Sequence, residues 1–186
     1  MGELEHIVAI VTGAAHGIGR EHALRFAAEG AYVVVNDIAD PAAVVAEIGT
    51  HGGRAVANRA DVTTWQGAHE LIRCAIDNFG DLHALVNNAG GGSTGLAAEI
   101  TEDAWDHEIT LNLKGMFCPT RAALSYWSTQ RAHGHAVRGS IVNTTSGAGG
   151  GKVIGTAASV FGCASGSTCR EGTDTSCRAI SSSSID

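Results

Sequence analysis

The residues Thr12-Gly13-Ala14-Ala15-His16-Gly17-Ile18-Gly19 set three glycines between an apolar run and a segment of helical period. Glycine lets backbone turn tightly and approach a ligand closely, and the helix start that follows offers unpaired N–H groups and a positive dipole end. A pyrophosphate is the ligand such a loop suits, an ordinary strand-to-helix turn being the alternative. Asp37 comes next, near the end of VVVNDI. A carboxylate there can accept hydrogen bonds from the ribose hydroxyls of an adenosine and would repel a 2′-phosphate. That favours NAD over NADP, with His16 as a weak counter-charge; capping a helix that begins near Ala39 is the other use for Asp37. Ala60-Asp61-Val62 and Asn87-Asn88-Ala89-Gly90 close two further apolar runs, and open parallel sheets bind ligands at such strand ends.

Apolar β-branched runs followed by longer helical stretches predict strands near 6–12, 31–37, 54–60, 83–88 and 139–145 and helices over 18–29, 40–50, 64–78 and 102–131. Gly30, Gly52 and Gly80 fit left-handed helix stops, and Thr63 and Thr101 fit N-caps. The nearly unbroken apolar character of IVAIV, YVVV, ALV and SIV implies strands buried on both faces. The fold class is therefore α/β, a doubly wound parallel sheet with helices on both faces. From about Gly147 the texture changes to Gly, Ser, Thr and Cys without an apolar period. Residues 1–158 read as one nucleotide-binding domain, and 159–186 as an irregular or disordered tail.

Taken in order, Thr12 to Gly19, Asp61-Val62 and Asn87 to Gly90 closely resemble the short-chain dehydrogenase/reductase family, over residues 5 to about 157. The resemblance implies a Rossmann fold in which Asp61 reads the adenine amino group and Val62 contacts the ring. Asn88, Ala89 and Gly90 would line the two riboses. Asn112, in Leu111-Asn112-Leu113, looks like the family asparagine that holds a water in a proton relay, and Ser146 looks like the catalytic serine. The substrate implied is a secondary alcohol or ketone, with VVVND and GGRAVAN hinting at a 3-hydroxyacyl thioester or a steroid. A homo-oligomer formed through the helix near 102–131 is implied as well.

One part of the family pattern is missing. Its chemistry uses a Tyr-x-x-x-Lys pair, the tyrosine exchanging a proton with the alcohol or carbonyl and the lysine lowering its pKa. Here Tyr32 precedes Asn36 by four residues, Tyr126 precedes Gln130, and the expected positions fall at Ser159 and Cys163. Activity should therefore be impaired, with Tyr126 the first candidate for another acid. A noncatalytic dinucleotide-binding module or an inactive gene remnant is the competing reading. The change of texture suggests a disrupted reading frame: from the second base of the Val160 codon the message can encode Tyr-Ser-Ala-Ala-x-Ala-Gly. The chain stops short of the family's sixth and seventh strands, which leaves the fifth as an edge. Gly19→Ala should weaken cofactor binding while leaving folding nearly unchanged.

Bulk properties exclude other classes. A net charge of −7 and a pI near 5.6 argue against nucleic acid, and no apolar run approaches the roughly 20 residues of a membrane span. Five cysteines, an odd number with no C-x-x-C, fit a reducing cytoplasm. The nine histidines are scattered without ligand spacing, so no metal is expected.

Overall fold

The computed structural model describes residues 2–92 and 97–145. Five strands, β1 (Val8–Thr12), β2 (Tyr32–Asn36), β3 (Arg54–Asn58), β4 (Ala84–Asn87) and β5 (Ser140–Asn143), form one sheet in the order β3-β2-β1-β4-β5. Every pairing is parallel, with Ile10 opposite Val34 on one side and Leu85 on the other. The chain leaves β1 toward β2 and later returns to place β4 on the opposite flank. Between β1 and β4 the carboxyl edge consequently opens into the crevice where such sheets take ligands.

Helices cover both faces. The alternation of strand side chains sends Val11, Val33, Val35 and Val86 toward α1 (Gly17–Ala28) and α2 (Ala42–Thr50), where Ala23, Ala27, Val44 and Ile48 complete one core. Val8, Ile10, Val34, Leu85 and Ile141 face α3 (Trp65–Phe79) and α5 (Gly115–Ala132), packing on Leu71, Ile72, Ala122 and Trp127. All five residues of β1 are buried, as expected for the central strand.

Gly30, Gly52 and Gly80 take positive φ as the sequence predicts. Thr101 caps α4 (Glu102–Ile109), its hydroxyl accepting from Ala104 N at 3.2 Å. Three expectations are corrected. The cap of α3 is Thr64, whose hydroxyl accepts from Gly67 N at 2.9 Å, because Thr63 is taken by the Asp61 carboxylate. The helix foreseen over 102–131 is interrupted by a π turn at Thr110–Lys114, in which Gly115 N donates to the Thr110 carbonyl five residues back. On β5, Val142 is 39% exposed, so that strand is buried on one face only among the described residues. The expected tail, 159–186, lies outside the described residues.

Candidate dinucleotide site

Strands ending in polar residues build the site. Thr12 closes β1, and its hydroxyl donates to Val86 O while accepting from Asn88 N and Ala89 N at 3.0 and 2.9 Å. Asn88 returns the contact, its side-chain N–H groups reaching the carbonyls of Thr12 and Gly13 at 3.1 and 3.2 Å. Similar bridges extend along the edge: Asn36 donates to Asn58 at 2.8 Å, and Asn87 donates to Asn143 and Thr120 at 2.9 Å. The loops leaving β1 and β4 are thus stitched into one floor.

On that floor the glycines do different work. Gly13 has φ +63°, and a Cβ there would sit 2.7 Å from Ala89 Cα. A Cβ on Gly19 would sit 2.3 Å from the Gly13 carbonyl and 2.4 Å from the Asn88 amide. Gly19 is therefore needed for helix-to-strand packing, and the expectation that Gly19→Ala spares folding is overturned by this contact. Gly17, with φ +58°, faces open space, so it is the glycine past which a ligand has room to approach.

Asp37 is buried, 7% exposed, although it is a carboxylate. One oxygen accepts from Ala15 N at 3.0 Å and the other from Ala39 N at 2.9 Å, so Asp37 pins the glycine loop to the end of β2. Helix α2 starts later, at Ala42, and Asp37 is not its cap. Each carboxylate oxygen has a second lone pair left for a ribose hydroxyl. The His16 imidazole, largely exposed, lies 3.9 Å from the same carboxylate. Ile18 and Ile38 stand exposed on either side of Asp37 in sequence.

Helix α1 has no acid in its first turn and no side-chain cap, which leaves its N-terminal N–H groups to an external anion. A dinucleotide fits these features: glycines that keep side chains out of the crevice, an uncapped helix start for its phosphates and a carboxylate for its ribose. Asp61 sits at the end of β3 with one oxygen engaged by Thr63. Val62 is 4% exposed within the α3–α5 core, so backbone is what it presents to a ligand. Gly90 borders Asn112, a Cβ there lying 2.9 Å from the Asn112 carbonyl oxygen.

Asn112 lies inside the π turn and grips Gly91 by both backbone groups, accepting from its N at 3.1 Å and donating to its O at 2.9 Å. Nothing in the helical period of 102–131 announces that turn, though Pro119, lacking an N–H, signals that the helix is not uniform. Ser146 lies outside the described residues. Tyr126 is removed from the site: its hydroxyl donates to Asp81 at 2.9 Å, beside the start of β4, at the opposite end of the sheet. Burial and the Asp81 carboxylate push its pKa up to about 12, the reverse of what an acid catalyst needs. Among the described residues no group of His, Cys, Asp and Glu is arranged to hold a metal.

Residues 7–165 match the short chain dehydrogenase family. The chain belongs to that family. It is 46% identical, with a TM-score of 0.79, to a short chain dehydrogenase from Mycobacterium avium, covering 80% of this chain and 55% of that one. A hydroxyacyl-CoA dehydrogenase of Mycobacterium tuberculosis is 42% identical over 156 residues, 79% of this chain and 49% of the relative. A 3-oxoacyl-acyl-carrier-protein reductase of Synechocystis is 40% identical over 145 residues, 76% and 56% respectively. The chain thus spans about half the length of the curated relatives it matches. Membership in the short chain dehydrogenase family implies a nicotinamide dinucleotide as cofactor. No described helix is long and apolar enough to cross a membrane.

Proposed function

We propose that this chain holds NAD in an oxidoreductase that moves hydride between the nicotinamide and a secondary alcohol or ketone, carried as a 3-hydroxyacyl or 3-oxoacyl thioester. The observation that carries the reading is the Asp37–Ala15 bond. One carboxylate shapes the phosphate loop and stands where a 2′-phosphate would have to sit. In this assignment Thr12, Gly13, Ala15, His16, Gly17, Ile18 and Gly19 form the phosphate cradle. Asp37 takes the adenosine ribose, Asp61 and Val62 the adenine, and Asn88, Ala89 and Gly90 the riboses. When bound, NAD supplies the hydride acceptor; the protein's part is to orient it and exclude water. Ser146 would polarise the substrate oxygen and Asn112 would hold a relay water. The substrate class is supported by the similarity to a hydroxyacyl-CoA dehydrogenase and a 3-oxoacyl-acyl-carrier-protein reductase.

Calorimetric titration of the full chain tests the cofactor. NAD should bind more tightly than NADP by about 1–3 kcal/mol, the scale of one charged hydrogen bond, and equal affinities would sink the assignment. The 186 residues contain no Tyr-x-x-x-Lys pair. Acid–base assistance is worth about 10²–10⁴-fold, so the chain itself should bind NAD yet show no measurable hydride transfer. Replacing 159–186 with a family segment that carries the pair should restore turnover, and Ser146→Ala in that chimera should abolish it. Sequencing the message across Thr156 to Ser165 checks whether a shifted frame removed the pair.

A noncatalytic dinucleotide-binding module is the second reading, favoured by the place of Tyr126 at the far end of the sheet. NADH oxidation across a panel of ketones and 3-oxoacyl thioesters separates the two. Leu113, Phe117 and Leu124, exposed on and beside α5, offer an apolar stripe that supports self-association through this helix. Sedimentation velocity with Phe117→Glu tests that. A reducing cytoplasm suits the free thiols of Cys74 and Cys118.

A further inference from the structure

Two carboxylates are buried among the described residues, Asp37 and Glu108. Asp37 has its task in the phosphate loop. Glu108, 4% exposed in the last turn of α4, has none in the scheme above. Burying a carboxylate is unfavourable unless strong hydrogen bonds offset it, so its partners show what it is for.

The Glu108 carboxylate accepts from the Asn112 amide N–H at 2.9 Å, and the Glu108 backbone carbonyl accepts from the same nitrogen at 3.1 Å. That amide also donates to Gly91 O at 2.9 Å while its carbonyl accepts from Gly91 N at 3.1 Å. An amide flipped by half a turn would set its oxygen against the Gly91 carbonyl and its N–H groups against the Gly91 N–H. A carboxylate only accepts, so it favours the unflipped orientation and opposes the flipped one. The charge strengthens the bond beyond that of a neutral acceptor.

We infer that Glu108 is a positioning residue: its carboxylate fixes the Asn112 amide, Asn112 clips the Gly91 backbone, and the clip sets where the Asn88–Gly91 loop lies. The same contact stabilises the π turn, since Glu108 precedes it and Asn112 lies within it. The influence on the cofactor rests on the dinucleotide reading above, whereas the clip does not.

Residue-resolved amide exchange and calorimetry on the full chain test this. In Glu108→Leu, which fills the same space without an acceptor, Gly91 N–H should exchange at least tenfold faster and NAD should bind about three- to tenfold more weakly. The melting temperature should fall only slightly, because the Asn112 amide N–H groups keep Gly91 O and the Glu108 backbone carbonyl as acceptors. Glu108→Gln keeps an acceptor at the same reach and should restore both values to within about threefold. Glu108→Asp keeps the charge but falls short by one methylene, so it should behave like the leucine variant in exchange and decides the matter if that variant does not fold. Unchanged Gly91 exchange in a folded Glu108→Leu or Glu108→Asp variant would overturn the inference. So would a Gly91 amide that exchanges at the unprotected rate in the unaltered chain. If the unaltered chain binds no NAD, the function proposed above fails, while the exchange result still judges the clip.

Discussion

The two ends of the sheet use similar side chains to opposite effect. At the amino end Tyr126 is bonded to Asp81, Trp127 donates to Leu82 O at 2.7 Å, and His83 accepts from Val8 N at 3.0 Å. These groups close on one another and on the backbone. At the carboxyl end Thr12 and Asn88 also satisfy each other and Asp37 holds Ala15 N and Ala39 N, but with glycines among them, so backbone N–H groups and lone pairs still face the crevice. Residue type alone does not distinguish the ends. What separates them is whether the partners leave capacity unspent toward open space.

Perturbing each end should break the likeness in a graded way. The largest effect expected is on Gly19→Ala, where the new methyl meets the Gly13 carbonyl and the Asn88 amide. Overpacking of that kind costs about 3 kcal/mol, to be read in a denaturant melt. Gly17→Ala meets no neighbour and should lose about 1 kcal/mol from its positive φ alone while weakening NAD binding. Second in size, ahead of Gly17→Ala, is Asp37→Ala, which removes the acceptor for Ala15 N and Ala39 N together. NAD affinity should fall by about 2 kcal/mol and most of the discrimination against NADP should vanish in the same titration.

At the other end Tyr126→Phe should cost about 1 kcal/mol of stability and leave NAD affinity unchanged. Alkali provides a further handle on the same residue. Its pKa is raised to about 12 in the folded chain, so the protonated phenol stabilises below the unfolded value of about 10. That contribution is lost as the pH climbs from about 10 to about 12, a loss the phenylalanine variant should lack. A shift in NAD affinity in Tyr126→Phe would mean that the two ends are coupled. The smallest effect is expected of His16→Arg, where a permanent cation near Asp37 should narrow the NAD preference by about 0.5–1 kcal/mol.

Most of this arrangement can be read from the residues, and the exceptions share a cause. The strands fall within two residues of the expected bounds at either end because apolar β-branched runs bounded by Gly, Asn and Asp have few other uses. Thr12, Gly13 and Asn88 meet, and Asp37 is tied to the same loop through Ala15 N, as the order of motifs implies, since each sits at the carboxyl end of a parallel strand. Thr63 and Thr64 could not be told apart as caps, because Asp61 decides which threonine is free. The Asn112–Gly91 clip and the packing of Gly19 against Asn88 join residues far apart in sequence, and the π turn and the Glu108–Asn112 bond, though local, break the helical period rather than follow it. A signal for the cross-strand bridges does exist: Asn36, Asn58, Asn87 and Asn143 each end a strand, and that repetition marks an edge where backbone ladders give way to side chains.

The contact between Gly13 and Ala89 also bears on how this sequence can drift. Room for a methyl at Gly13 is taken by the Ala89 backbone, so Gly13 cannot enlarge while the two loops keep this spacing. Any lineage that admits a larger side chain at Gly13 must separate the loops, and with them the crevice between β1 and β4. Gly13, whose obstacle is backbone that every residue at 89 would carry, should therefore stay glycine among descendants that still hold the cofactor. A deep mutational scan scored by NAD retention would show this as a site tolerant of glycine alone. Gly92, with open space around it, should accept many.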